Sequence, residues 1–188
     1  MALGLAVVVP FVTLGPLSAH MLVHIVTMSI VAPVAAAGWA LLGPQRAAGG
    51  SELWAATTLQ VAVLWAWHVP AAHRIASFSA VGSFAMHATL LAAAFWFWLS
   101  LIRLRPADQW QGILALLITG KLACLLAGLL VFAPRPLFAH HHHASDALDD
   151  QHLAGLLMIV ACPASYVLAG VLMATRLVGL MQIAQRGR

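Results

Sequence analysis

From residue 111 to residue 132 the chain reads QGILALLITGKLACLLAGLLVF, with Lys121 as its one charge. A helix of about 20 such residues crosses the ~30 Å hydrocarbon core of a bilayer, where every backbone polar group must be satisfied within the helix. Residues 17–42, 53–69, 81–102 and 151–177 are similarly apolar. Turn signals separate the five stretches: GPQRAAGG after the first, Pro70 after the second, RLRP after the third and PRP after the fourth. Ser51, Asp108 and either Asp149 or Asp150 stand where helix N-caps are expected. Only 7% of the residues are charged, against about 25% in a soluble domain, which excludes a soluble fold. The expected fold is all-α, an integral membrane bundle of five transmembrane helices over residues 17–178. An apolar lead-in (1–16) precedes it and a short basic tail (179–188) follows. The lead-in has no basic n-region and only a poor cleavage site at Leu17 and Ala19, so it is not read as a cleaved signal.

Charge sets the orientation. The net charge of +4 comes with only nine Lys and Arg, scattered at segment ends. They make no patch able to follow a phosphate backbone, so nucleic acid is set aside as a partner. Arg46, Arg103, Arg105, Arg176, Arg186 and Arg188 fall on one side of a five-span topology, and Arg74 and Arg135 on the other. The positive-inside rule then places the N-terminus in the periplasm and the C-terminus in the cytoplasm of a bacterial inner membrane. All ten histidines fall at the periplasmic side.

His20 and His24, in SAHMLVHIVTM, are spaced i, i+4, which sets both rings on one helix face about 6 Å apart. His68 closes the second span beside Trp65 and Trp67, and His87 lies about two turns into the third. Ionisable residues in membrane helices are costly and face a bundle interior or a cavity, and a buried imidazole there needs a hydrogen bond or a metal. The expected ligands are His20, His24, His68 and His87, with His152 and Met86 as additional candidates. Met21 is left out because it points to a different helix face from His20, and His73 is expected to be exposed and ordinary. Asp149 and Asp150 are expected to cap the fifth helix, or else to orient a ligand imidazole. The run His140, His141, His142 and His143 reads as an outer loop able to capture metal loosely. Imidazole suits copper, zinc and iron, and the Irving–Williams order with nearby thioethers favours copper. Zinc and a bis-histidine haem remain open.

Four stretches resemble the CtaG family of multi-span membrane cytochrome c oxidase assembly factors. SAHMLVHIVTMSIVAP is similar to that family's H-M-x-x-H opening helix, and WAWHVP to its Trp-His-x-Pro helix end. DDQHLAGLLMIV is similar to its Asp-Gln-x-x-Ala-Gly-x-x-Met helix start, and MHATLLAAAFWFW to its third helix. The likeness runs from about residue 17 to residue 178. Two departures stand out. Ser83 and Met86 occupy the first His and the Glu of the family's H-x-x-E-H, leaving only His87, and the family's additional N-terminal helices are represented only by the lead-in. The resemblance implies a non-enzymatic role in building the copper centres of a haem–copper oxidase, with oxidase subunits, copper-donating periplasmic proteins and the lipid bilayer as partners. His20, His24, His68 and His87 carry over by motif, whereas His152 occupies a variable position. The rival readings are a haem-binding membrane cytochrome, a structural accessory subunit of an oxidase, and a copper importer using Lys121, Cys124 and Cys162 as its route.

Overall fold

The computed structural model describes residues 14–138 and 144–186. The lead-in up to residue 13 and the run His140, His141, His142 and His143 therefore lie outside the described residues. Among the described residues seven α-helices follow one another: α1 (Pro16–Val26), α2 (Ala32–Leu42), α3 (Gly50–Trp67), α4 (Pro70–Phe78), α5 (Ala80–Ile102), α6 (Gln109–Phe132) and α7 (Ala144–Arg186). No strand occurs among the described residues, in agreement with the all-α expectation.

Among the described residues four helical stretches are long and apolar enough to cross a membrane: Pro16–Leu42, Ala80–Ile102, Pro106–Phe132 and Asp146–Gly179. The expected second span falls in α3, which is less apolar because Ser51, Glu52, Thr57, Thr58 and Gln60 belong to it. Two of its buried polar groups are paired: Thr57 donates to Leu53 O at 2.7 Å, and Gln60 Nε2 donates to the Tyr166 hydroxyl at 2.5 Å. Such pairing is what lets a polar side chain lie inside a bundle.

The first stretch is continuous through a π-helical turn at Thr27–Val31, just before Pro33. Ala32 N–H reaches back to Thr27 O, so the next carbonyl, Met28 O, would look to residue 33, and proline has no N–H. The Trp98 indole of α5 supplies the missing donor at 3.0 Å. One sequence-encoded defect in α1–α2 thus becomes a tie to α5. Trp98 also stacks on Tyr166 of α7, ring centroids 5.5 Å apart, so one indole ties the π-helical turn to α5 and α7.

Helix α7 begins at Ala144, nearly two turns before the expected start, and runs through Pro163 to Arg186. The segment expected as a basic tail is helical as far as residue 186. Helix α7 packs most extensively on α6, and Gly155 permits the approach. A Cβ there would lie 2.6 Å from Val131 Cγ2 and 3.0 Å from Ala127 O. Gly155→Ala is therefore expected to lower stability by about 1–3 kcal/mol, read as a fall in the thermal unfolding midpoint in detergent.

At one end of the bundle Ala48 N–H donates to Arg103 O at 2.8 Å and Arg105 N–H to Ala48 O at 3.1 Å. This bridge holds the loops bearing Arg46, Arg103 and Arg105 together, as their common side in the topology requires. The histidine-bearing helix ends meet at the opposite end.

Candidate metal centre

Helix α1 carries His20 and His24 one turn apart, and their Nε2 atoms are 2.8 Å from one another. An imidazole nitrogen that donates to another leaves one proton shared between the two rings. From α5, His87 stacks on His24 with centroids 5.1 Å apart and planes 15° from parallel. One nitrogen from each of His20, His24 and His87 lies within 4.8 Å of the others. Three nitrogens bound to one ion at about 2.0–2.1 Å are at most about 4.2 Å apart, so small side-chain rotations close the triangle.

Two of the rings are oriented by backbone carbonyls. His87 Nδ1 donates to Ser83 O at 2.8 Å, and His68 Nδ1 donates to Leu64 O at 2.7 Å. A carbonyl can only accept, so each ring keeps its proton on Nδ1 and its lone pair on Nε2. Metal-ligating histidines are commonly fixed in this way. His68 sits just past the end of α3, and its ring centroid is 6.1 Å from that of His24. It adjoins the three-nitrogen cluster without belonging to it.

His73 corrects the reading of an exposed, ordinary residue. It is 4% exposed, and its ring lies 5.2 Å from His20 and 4.4 Å from Phe138. The second stretch stops before Pro70 as expected, and the same proline starts the next helix. Val69 takes an extended conformation and Pro70 opens the first turn of α4, where its missing N–H costs nothing. Helix α4 folds back and delivers His73 to the site. A pocket of about 410 Å³ lined by Pro16, Leu17, His20, His73, Ala76 and Ser83, among others, opens above the cluster.

The two aspartates do something other than expected. Because α7 starts at Ala144, Asp150 lies nearly two turns inside it and cannot cap it. Its carboxylate instead accepts from Leu17 N–H at 2.8 Å, from Ser18 N–H at 3.1 Å and from Ser18 Oγ at 2.5 Å. Gly15, at the N-cap of α1, has no side chain to do this work, and a Cβ there would overlap the Asp150 carboxylate. Asp150 thus caps the helix that carries His20 and His24. Asp149 is exposed. Gln151, not foreseen from the sequence, is buried and accepts from Leu137 N–H at 2.7 Å while donating to Leu130 O at 3.1 Å. It closes the end of α6 against α7.

His152 follows Asp150 by two residues, about 200° around the helix. It is half-buried and takes no part in the ring contacts that join the other five described histidines. Met86 is buried in the core beside His87. Lys121 and Cys124 line a groove of about 250 Å³ between α6 and α7. Cys162 lines a neighbouring internal cavity, and Tyr166 stands between that cavity and the groove.

Helices of membrane-spanning length with five imidazoles gathered at one end define a polytopic membrane bundle with a potential metal centre. The family model described as cytochrome c oxidase caa3 assembly factor (Caa3_CtaG) matches residues 1–179, and the chain belongs to that family. No curated protein and no solved structure was found to match it.

Proposed function

We propose that the protein binds copper as cargo at the His20, His24 and His87 cluster and assists maturation of the copper centre of cytochrome c oxidase. The observation that carries this reading is the triangle of imidazole nitrogens within 4.8 Å, in a chain of an oxidase assembly family. Three neutral nitrogen donors suit a late first-row ion, and copper binds such donors most tightly by the Irving–Williams order. An ion taking the Nε2 lone pairs of both His20 and His24 moves the proton they share to the Nδ1 of the same ring, and acid competes for those lone pairs, so binding weakens as pH falls. The close packing of these rings leaves no porphyrin-wide slot between them, which favours a bare ion over haem.

In this reading α3 crosses the membrane as a fifth, less apolar span. The histidine end faces the periplasm and the Arg46, Arg103 and Arg105 end the cytoplasm of a bacterial inner membrane. Oxidase subunits are the recipients, and a periplasmic copper donor docks above the pocket lined by His20 and His73. The test is metal analysis with optical spectra on protein purified without a nickel column, since His140, His141, His142 and His143 would collect nickel. Copper in a stoichiometric amount, retained when that run is changed to alanine, is the expected result. Zinc alone, or a Soret band, would overturn the reading.

A further inference from the structure

Directly beneath the imidazole cluster lies a second, narrower cavity of about 20 Å³, enclosed by α1, α3, α6 and α7. That volume accommodates about one water-sized body. Its lining includes His24, His68, Met21, Met28, Met158 and Cys162. Three of the chain's seven methionines and one of its two cysteines therefore meet in one small space with two imidazoles. His68 is 7% exposed, and its Nε2 has no hydrogen-bond partner among the described residues. With Nδ1 held by Leu64 O, that nitrogen presents a lone pair in the lining of the cavity. His24 is 5% exposed and its Nδ1 is likewise unpartnered, although its Nε2 serves the upper cluster. A buried polar atom left unsatisfied costs about 1–3 kcal/mol, and two on rings that line one cavity call for an occupant.

We propose that this cavity is a second metal site, selective for Cu(I), with His68 Nε2 and the thioether sulfurs of Met21 and Met158 as ligands. The proposal rests on copper as the cargo of the upper cluster. Soft thioethers select Cu(I) over divalent ions, which the upper, all-nitrogen cluster suits better. Charge points the same way. The cost of burying an ion grows with the square of its charge, so an apolar cavity takes a monovalent ion far more readily than a divalent one. All three ligands are neutral and carry no proton at the donor atom, so Cu(I) exchanges between donors with no electron or proton moved. Met28 lies one turn below His24, in the π-helical turn that follows α1, and Cys162 one turn below Met158 on α7, so sulfur donors continue inward from the site.

The experiment uses the full chain in detergent, with Co(II) first added to fill the upper cluster and Cu(I) then titrated without oxygen against a chromogenic Cu(I) chelator. X-ray absorption at the copper edge should show sulfur together with nitrogen neighbours. In the double variant Met21→Leu, Met158→Leu the sulfur shell should vanish and Cu(I) affinity should fall at least about tenfold, with the Co(II) spectrum unchanged. A copper edge with nitrogen neighbours only in the unmodified protein overturns the proposal, as does unchanged affinity in the double variant. Loss of the Co(II) spectrum in that variant reports misfolding, and the sulfur shell of the unmodified protein then decides alone. Failure of the upper-cluster reading appears separately, as absence of Co(II) binding in the unmodified protein.

Discussion

Replacing His24 by alanine is expected to lower copper affinity at least about 100-fold and to leave cells with an oxidase deficient in copper. Its ring is the hinge of the centre. Its Nε2 meets His20 at 2.8 Å, its face stacks on His87 at 5.1 Å, and its edge adjoins His68 at 6.1 Å. Removing it deletes a ligand and also the body against which His20 and His87 are held. His152→Ala makes the matched control, because that ring stands about 200° from Asp150 around α7, outside the ring contacts of the cluster, and should change affinity less than about twofold. A competitive titration on the purified variants checks both, alongside oxidase activity in cells carrying each. Equal losses in the two variants would remove the basis for placing the metal among His20, His24 and His87.

The gathering of histidines at one end was legible because position along a membrane helix is also depth in the bundle. The i, i+4 spacing of His20 and His24 likewise translates directly into neighbouring rings. Helical geometry also bears on Met21, which is about 100° from His20 around α1 but only about 60° from His24, whose cavity it lines. His73 was hidden because a proline that ends one helix also starts the next, and only the extended turn at Val69 reveals that α4 folds back. Gln151 could not be read at all. Its partners are a backbone carbonyl 21 residues away and a backbone amide 14 residues away, and backbone groups leave no mark in a sequence. The DDQHLAGLL stretch thereby changes meaning. Asp150 holds α1, Gln151 closes α6 and Gly155 lets α6 and α7 touch, so the motif is chiefly the fastening of the bundle at its histidine end.

Asp150→Ala should accordingly damage the metal centre without touching a ligand. The substitution strips the acceptors from Leu17 N–H and Ser18 N–H at once and leaves Ser18 Oγ only the backbone carbonyl of residue 150. Loss of an N-cap together with charge-assisted bonds costs about 2–4 kcal/mol, and no side chain of Gly15 can take over. The first turn of α1 should then fray. His20 lies in the next turn and would lose its fixed distance to His24 and His73, whereas His87 and His68, held by Ser83 O and Leu64 O, should stay in place. Asp150→Asn keeps one acceptor oxygen and should recover part of the stability, whereas Asp149→Ala, at an exposed position, should change neither stability nor affinity. Thermal unfolding and copper titration on the three variants separate the outcomes. If Asp150→Ala melts like the unmodified protein and binds copper equally well, the carboxylate does not hold the histidine helix in place.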